Sequence, residues 1–225
     1  MARIVLLRHA HSIANEKNLL AGRTPGIALS KTGREQALQL VNRIGTTKFD
    51  EIAVSPMQRC RETIDPWLSS TNAKSRLVVD ESISEVDYGS WSGKTLASLR
   101  RKSQWKVVQD FPSQMIFPDG ESLLEMQGRA LSGFYRLNSV KGKGPRLLVS
   151  HGDVIKSIVA HCLGMHLDQF QRLVIEPASI TIIDTDEGMS RLVRFNDAKG
   201  FLNSGSATTT TNQSAIGGST GNTDK

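Results

Sequence analysis

The chain has 225 residues, 38% hydrophobic and 22% charged, which is enough to bury a sizeable core in one large domain or two small ones. No apolar run approaches the roughly 18 residues of a bilayer-spanning helix, so a membrane-spanning protein is not expected. Lys plus Arg number 28 against 22 Asp plus Glu, a net charge of +6 that suits an anionic partner without separating a phosphorylated metabolite from nucleic acid. Aromatic residues amount to 5%, which leaves little material for base stacking. Cys60 and Cys162 have neither metal-site nor disulfide-framework spacing, and Ile4–Leu7 is too short for a secretory apolar segment. A cytoplasmic protein is therefore expected.

Ile4-Val5-Leu6-Leu7 predicts a strand buried on both faces, with Arg8 and His9 at its C-terminal end. After a Gly/Pro-marked loop from Ala21 to Ser30, the spacing of Ala37, Leu40, Val41 and Ile44 predicts an amphipathic helix over Gly33 to Gly45. Ile52–Val54 predicts a second strand. Ser55-Pro56 then offers a cap and a first helical residue for a helix that carries Arg59 and Cys60 and ends near Pro66. Leu77–Val79 predicts a third strand, after which residues near 80 to 120 lose periodicity. We read that stretch as a functional insertion, with specificity residing between Lys94 and Pro118. Ser122-x-x-Glu125 has capping-box spacing ahead of a helical stripe of Leu123, Met126, Ala130, Phe134 and Leu137. Leu147–Val149 repeats the buried-strand pattern and ends at Ser150-His151-Gly152; Val154, Ile155, Ile158, Val159 and Cys162 follow at helical spacing up to Gly164. Ile180–Ile183 and Leu192–Phe195 could pair around the turn signal Asp186-Glu187-Gly188.

Strands alternating with helices predict an α/β fold, a three-layer sandwich with a mostly parallel central sheet and helices on both faces. Residues 1–200 are expected to form one catalytic domain. From Phe201 onward the composition turns to Ser, Thr, Gly and Asn, which cannot offset ordering entropy, so 201–225 is expected to be a disordered tail.

Two predicted strands deliver a histidine, His9 and His151, to the sheet edge where open α/β folds bind ligands. Arg8, Arg59 and Arg61 bring guanidinium forks from separate segments, and such forks match phosphate oxygens. A phosphoryl group held by arginines and imidazoles could be neutralised without a metal ion.

These residues carry a resemblance to the histidine phosphatase superfamily, in its phosphoglycerate-mutase-like branch. The matching blocks are Arg8-His9-Ala10-His11-Ser12 with Asn15, Leu29-Ser30-x-x-Gly33-x-x-Gln36-Ala37, Ser55-Pro56-x-x-Arg59-x-x-Glu62-Thr63, Glu85-x-x-x-Gly89-x-Trp91-x-Gly93, Gly120-Glu121-Ser122 and Ser150-His151-Gly152. The resemblance implies that His9 is the nucleophile and forms a phosphohistidine. It implies that Arg8, Arg59 and His151 hold the nonbridging oxygens, and that Glu85 donates and later accepts the proton. Ser12 and Asn15 would supply supporting hydrogen bonds. No metal and no cofactor is implied, and the expected partner is a small phosphorylated metabolite rather than nucleic acid or a membrane; nothing in the sequence specifies an oligomeric state. One departure stands out: the family usually has glycine after the first histidine, where this chain has Ala10, which would cost free energy if that position needed φ > 0.

Plainer readings compete with several of these roles. Arg59 could pair with Glu62 on a helix surface, and Asp87, Glu121 and Asp153 rival Glu85 as the acid. His11 could line the pocket mouth, whereas His161 and His166 suit a surface or helix end. Arg61 reads as surface charge and Trp91 as a packing anchor. Arg100, Arg101, Lys102 and Lys106 form either a second anion site or a solvated face. The leading expectation is a metabolite phosphatase. A cofactor-dependent phosphoglycerate-type mutase is the alternative, although the segment after Glu85 is shorter than in such mutases. A non-catalytic phosphate-binding scaffold is the third reading.

Overall fold

A computed structural model describes residues 2–71, 77–186 and 189–202. Strands β1 (Ala2–Arg8), β2 (Ile52–Val54), β3 (Leu77–Val79), β4 (Arg146–Ser150), β5 (Ile180–Asp186) and β6 (Met189–Asp197) form one sheet in the order β3-β2-β4-β1-β5-β6. The first four of these in sheet order run parallel, and the β5/β6 hairpin adds two antiparallel strands at one edge. The turn expected at Asp186-Glu187-Gly188 falls partly on residues 187 and 188, outside the described ones.

The period of two along each strand divides the core. Val5, Leu7, Ile52, Val54, Leu147 and Val149 face helices α1 (Ile13–Glu16), α2 (Lys31–Ile44) and α3 (Gln58–Ser70) on one side. Ile4, Leu6, Ala53 and Leu148 point the other way, into a larger cluster with Trp91, Met126, Phe134 and Ile158. That second layer holds α4 (Leu96–Leu99), α5 (Gln104–Asp110), α6 (Leu123–Asn138) and α7 (Gly152–Cys162). Burial on both faces is why β1 and β4 read as unbroken apolar runs. No helix among the described residues is long and apolar enough to cross a membrane.

Local signals worked where side chains bond locally. Ser122 and Glu125 make the reciprocal capping box that starts α6. Elsewhere tertiary contacts overrode them. α3 starts at Gln58 rather than Pro56, and the Ser55 hydroxyl bonds His151 as well as accepting the Met57 N–H. The helix, expected to end before Pro66 or shortly after it, continues through that proline for one more turn to Ser70. Trp67 holds that last turn down: it is fully buried, edge-on to Phe49, and its indole N–H donates to the Gly45 carbonyl. Beyond residue 200, Leu202 is buried in the α2/α3 layer and its N–H donates to the Arg43 carbonyl, so packed structure continues past the expected domain end. The remainder of the expected disordered tail, 203–225, lies outside the described residues.

Candidate active site

The register of two neighbouring strands creates the site. Arg8 of β1 and Ser150 of β4 are Cα partners in a parallel pair, so the next residues, His9 and His151, leave the sheet edge side by side. Their rings are 5.2 Å apart centre to centre, inclined at 61°, although 142 positions separate them in the chain. Arg59, in the first turn of α3 and fully buried, spans the gap: Nε lies 3.4 Å from His9 Nε2, Nη2 donates to His151 Nδ1 at 3.1 Å, and Nη2 also reaches the Gly22 carbonyl at 2.9 Å. Arg59 therefore has no ion pair with Glu62, whose carboxylate accepts from the Leu29 N–H and the Gln58 amide.

Hydrogen bonds fix the state of both imidazoles. His9 Nδ1 donates to the Ala10 carbonyl at 2.8 Å, which leaves Nε2 unprotonated at the cleft, where its lone pair accepts the long contact from Arg59 Nε. Burial and the adjacent Arg59 and Arg8 hold the His9 pKa well below the usual imidazole value, so the ring is neutral at physiological pH. His151 is also kept neutral by burial and Arg59; its Nδ1 accepts from Arg59, so its Nε2 donates to Ser55 Oγ at 2.7 Å. Arg8 directs Nη1 to the Ile175 carbonyl, while its buried Nε has no partner within the described residues.

Glu85 lies in the irregular stretch after β3, with Oε2 3.7 Å from His151 Nδ1. Burial and the nearby Asp153 carboxylate raise its pKa to about 7. Its rivals are otherwise engaged. Asp87 accepts the Gly89 N–H, Asp153 accepts from Tyr88 Oη at 2.8 Å and pairs with Lys156, and Glu121 is clamped by Arg23 and Arg129. Burial alone would raise Asp153, but Lys156 and the Tyr88 hydroxyl outweigh it and keep the carboxylate ionised.

Ser12 and Asn15 line the cleft with Arg8, His9, Arg59 and Glu85. Their first task is structural, since Ser12 Oγ donates to Asn15 Oδ1 and accepts the Asn15 N–H as the cap of α1. That leaves the Asn15 amide NH2, rather than the Ser12 hydroxyl, as the available donor. His11 does not line the cleft; its Nδ1 pairs with Ser30 Oγ at 2.9 Å. His161 sits at the exposed end of α7, and His166 caps a short 3₁₀ turn. Arg61, Arg100, Arg101, Lys102 and Lys106 are exposed and away from the cleft, and Trp91 is a buried packing anchor. Cys60 is buried beside His151, with burial pushing its thiol up to about 12.

Much of the remaining motif material supports the His9 loop. Thr63 Oγ1 accepts the Ala10 N–H, Gln36 Oε1 accepts the His11 N–H, and a Cβ on Gly33 would collide with the His11 carbonyl oxygen. Ala10 is fully buried and its φ is not positive, so the departure from glycine is accommodated without backbone strain.

Sequence reasoning missed two features. The first is Arg129 on α6. It donates to the carbonyls of Ser82, Ser84 and Glu85 and to both Glu121 oxygens, while Arg23 donates to the same Glu85 carbonyl. A guanidinium beside the apolar stripe at Ala130 was its one signal. The second is the cleft mouth. Of the segment Lys94–Pro118, expected to set specificity, only Leu96 lines the cleft; the rest of the mouth comes from residues 19–22 and 171–176.

The donor atoms of His9, Glu85 and His151 lie within 4.8 Å of one another, a spacing that could hold a metal ion. The chemistry of the donor set fits one poorly: both His151 nitrogens are committed, and Arg8 and Arg59 place two cations at the same point. Two guanidinium groups and two neutral imidazoles thus converge on one cleft.

The chain belongs to the histidine phosphatase superfamily (branch 1), whose sequence model matches residues 4–198. It is 27% identical over 202 residues to phosphoserine phosphatase 1 of Hydrogenobacter thermophilus, covering 87% of this chain and 92% of that one. It is 28% identical over 200 residues to the 2,3-bisphosphoglycerate-dependent phosphoglycerate mutase of Cytophaga hutchinsonii, covering 87% and 89%. In fold it is similar to the solved structure of Bacillus stearothermophilus YhfR, with a TM-score of 0.81 at 24% identity over 88% of this chain and 98% of that one.

Proposed function

We propose that the chain is a metal-independent phosphatase that hydrolyses a small phosphorylated metabolite through a phosphohistidine on His9. The observation that carries this reading is the juxtaposition of two neutral imidazoles bridged by Arg59, with Glu85 beside them. His9 Nε2 attacks phosphorus, forming the N–P bond as the P–O ester bond breaks. Arg8, Arg59 and the Asn15 amide hold the nonbridging oxygens, His151 holds the Arg59 guanidinium in the same cradle through its Nδ1, and the guanidinium charge stabilises the transferring group. Ser12 acts by fixing Asn15. Glu85, protonated at a pKa of about 7, gives its proton to the leaving alkoxide. The carboxylate then takes a proton from water, which attacks phosphorus and breaks the P–N bond, restoring neutral His9 and releasing inorganic phosphate.

Residues 1–200 with Leu202 act as one catalytic domain in this reading, and the free thiols fit a cytoplasmic setting. The test is phosphate release from p-nitrophenyl phosphate between mildly acidic and neutral pH, with and without a chelator. Turnover that survives chelation and disappears in His9→Ala is expected, and absence of turnover contradicts the proposal. Adding a bisphosphoglycerate primer and following phosphoglycerate interconversion separates a mutase from a phosphatase.

A further inference from the structure

The cleft has a volume of about 390 Å³, more than a phosphate requires, and apolar side chains line part of it beside the arginines and histidines. Leu19, Leu20, Leu96, Leu173, Val174 and Ile175, from three separate segments, line it together with the polar groups of Asn15, Tyr88 and Gln171. Val174 is 56% exposed at the rim. The charges along the cleft are nearly used up once a phosphate dianion is set against Arg8 and Arg59. The remaining cation, Lys156, already bonds Asp153 and Gln171, each at 3.1 Å, and lies over the Phe170 ring. What is left at the mouth is the exposed carboxylate of Glu176, which repels a second anionic group. Phosphoglycerate carries such a group, and among the described residues the one further cation lining the cleft, Lys156, already has its charge paired with the Asp153 carboxylate.

From this juxtaposition of apolar walls, a committed lysine and a rim carboxylate, we infer that the physiological substrate is a phosphomonoester of an uncharged, mainly apolar alcohol. The inference rests on the phosphatase reading and adds the class of the leaving group. Apolar body atoms leave water on binding, while a carboxylate would be desolvated without a partner.

The test is a set of kcat/KM values for n-alkyl phosphates from methyl to hexyl, beside 3-phosphoglycerate and O-phosphoserine. The n-alcohols leave with closely similar basicity, so the series isolates contact with the walls. We expect a rise of about tenfold or more from methyl to hexyl phosphate, short of the full transfer value because the walls are partly open. Hexyl phosphate should exceed both charged substrates. Val174→Lys, at the exposed rim, should shift the ratio of 3-phosphoglycerate to hexyl phosphate upward by about tenfold, on the scale of one screened charge pair. A flat alkyl series, or preference of the unmodified protein for 3-phosphoglycerate or O-phosphoserine, would overturn the inference while leaving the phosphatase reading intact. Failure to hydrolyse any ester would overturn both.

Discussion

The two ends of the cleft are built by different means. At the inner end, His9 and His151 follow registered partners of a parallel strand pair, and Arg59 leaves the first turn of a long helix buried between them. At the mouth, the walls come from residues 19–22, one short helix and the irregular stretch 171–176. The inner end is held by sheet register and buried hydrogen bonds, which tolerate little movement. The mouth is held by contacts that can change without unfolding the sheet. On the proposed function, bond breaking and the choice of substrate would therefore rest on separable parts of the fold.

Substitutions at the inner end should break this contrast most visibly. His9→Ala should lower kcat by about 10⁴-fold or more, because no other group supplies the nucleophile, while leaving thermal unfolding close to that of the parent. Glu85→Gln should cost about 10²–10⁴-fold with alkyl esters and much less with p-nitrophenyl phosphate, whose leaving group needs no proton. A uniform loss across both ester types would remove Glu85 from the acid role.

Outside the cleft lies the clamp on the Glu85 loop. Arg129→Met should lower kcat about tenfold with KM little changed, since Arg129 positions the acid and does not touch substrate. It should also cost about 1–3 kcal/mol of stability, read from denaturant unfolding, by leaving buried carbonyls without donors. Its diagnostic readout is the alkaline limb of the pH–rate profile. In the parent that limb falls as Glu85 deprotonates above about pH 7. In Arg129→Met the limb should move, whereas a purely structural lesion would leave its position unchanged.

The same carboxyl predicts the sign of a stability effect. Glu85 binds its proton more tightly folded than unfolded, so its contribution to stability falls as pH rises from about 4.5 to about 7. His9 and His151, held neutral by burial, act in the opposite sense, and their contribution is lost as pH falls below the usual imidazole value of 6.5. Glu85→Gln should flatten the first slope and leave the second, as measured by unfolding across pH. The smallest effect is expected for Ala10→Gly. Since φ at Ala10 is not positive, restoring the family's glycine should destabilise by about 1 kcal/mol through chain entropy, with activity retained.

The layered fold was legible because its strands are short apolar runs and its helices carry clean stripes, as in Leu147–Val149 and the Leu123 to Leu137 stripe. The convergence of Arg8, His9, Arg59, Glu85 and His151 was legible through motif blocks whose residues share a sheet edge. What those blocks do individually was not. Ser55 read as a helix cap and is a hydrogen-bond partner of His151, while Ser12 read as a phosphate donor and is a cap for α1. A hydroxyl serves either purpose, and only the three-dimensional neighbour decides. The helix runs one turn past Pro66 because burial of Trp67 outweighs one missing backbone hydrogen bond. The mouth was assigned to the wrong segment because loops reach a site by tertiary placement, which leaves no periodicity to read.

The central claim is that His9 carries the phosphoryl group. Rapid acid-free quenching during turnover of a ³²P-labelled ester, followed by peptide mapping, tests it directly. The account predicts an acid-labile, alkali-stable phosphoryl group on the peptide containing His9, absent from His9→Ala and longer-lived in Glu85→Gln. Steady turnover with label on another residue, or with no phosphoryl-enzyme at any time point, would contradict it.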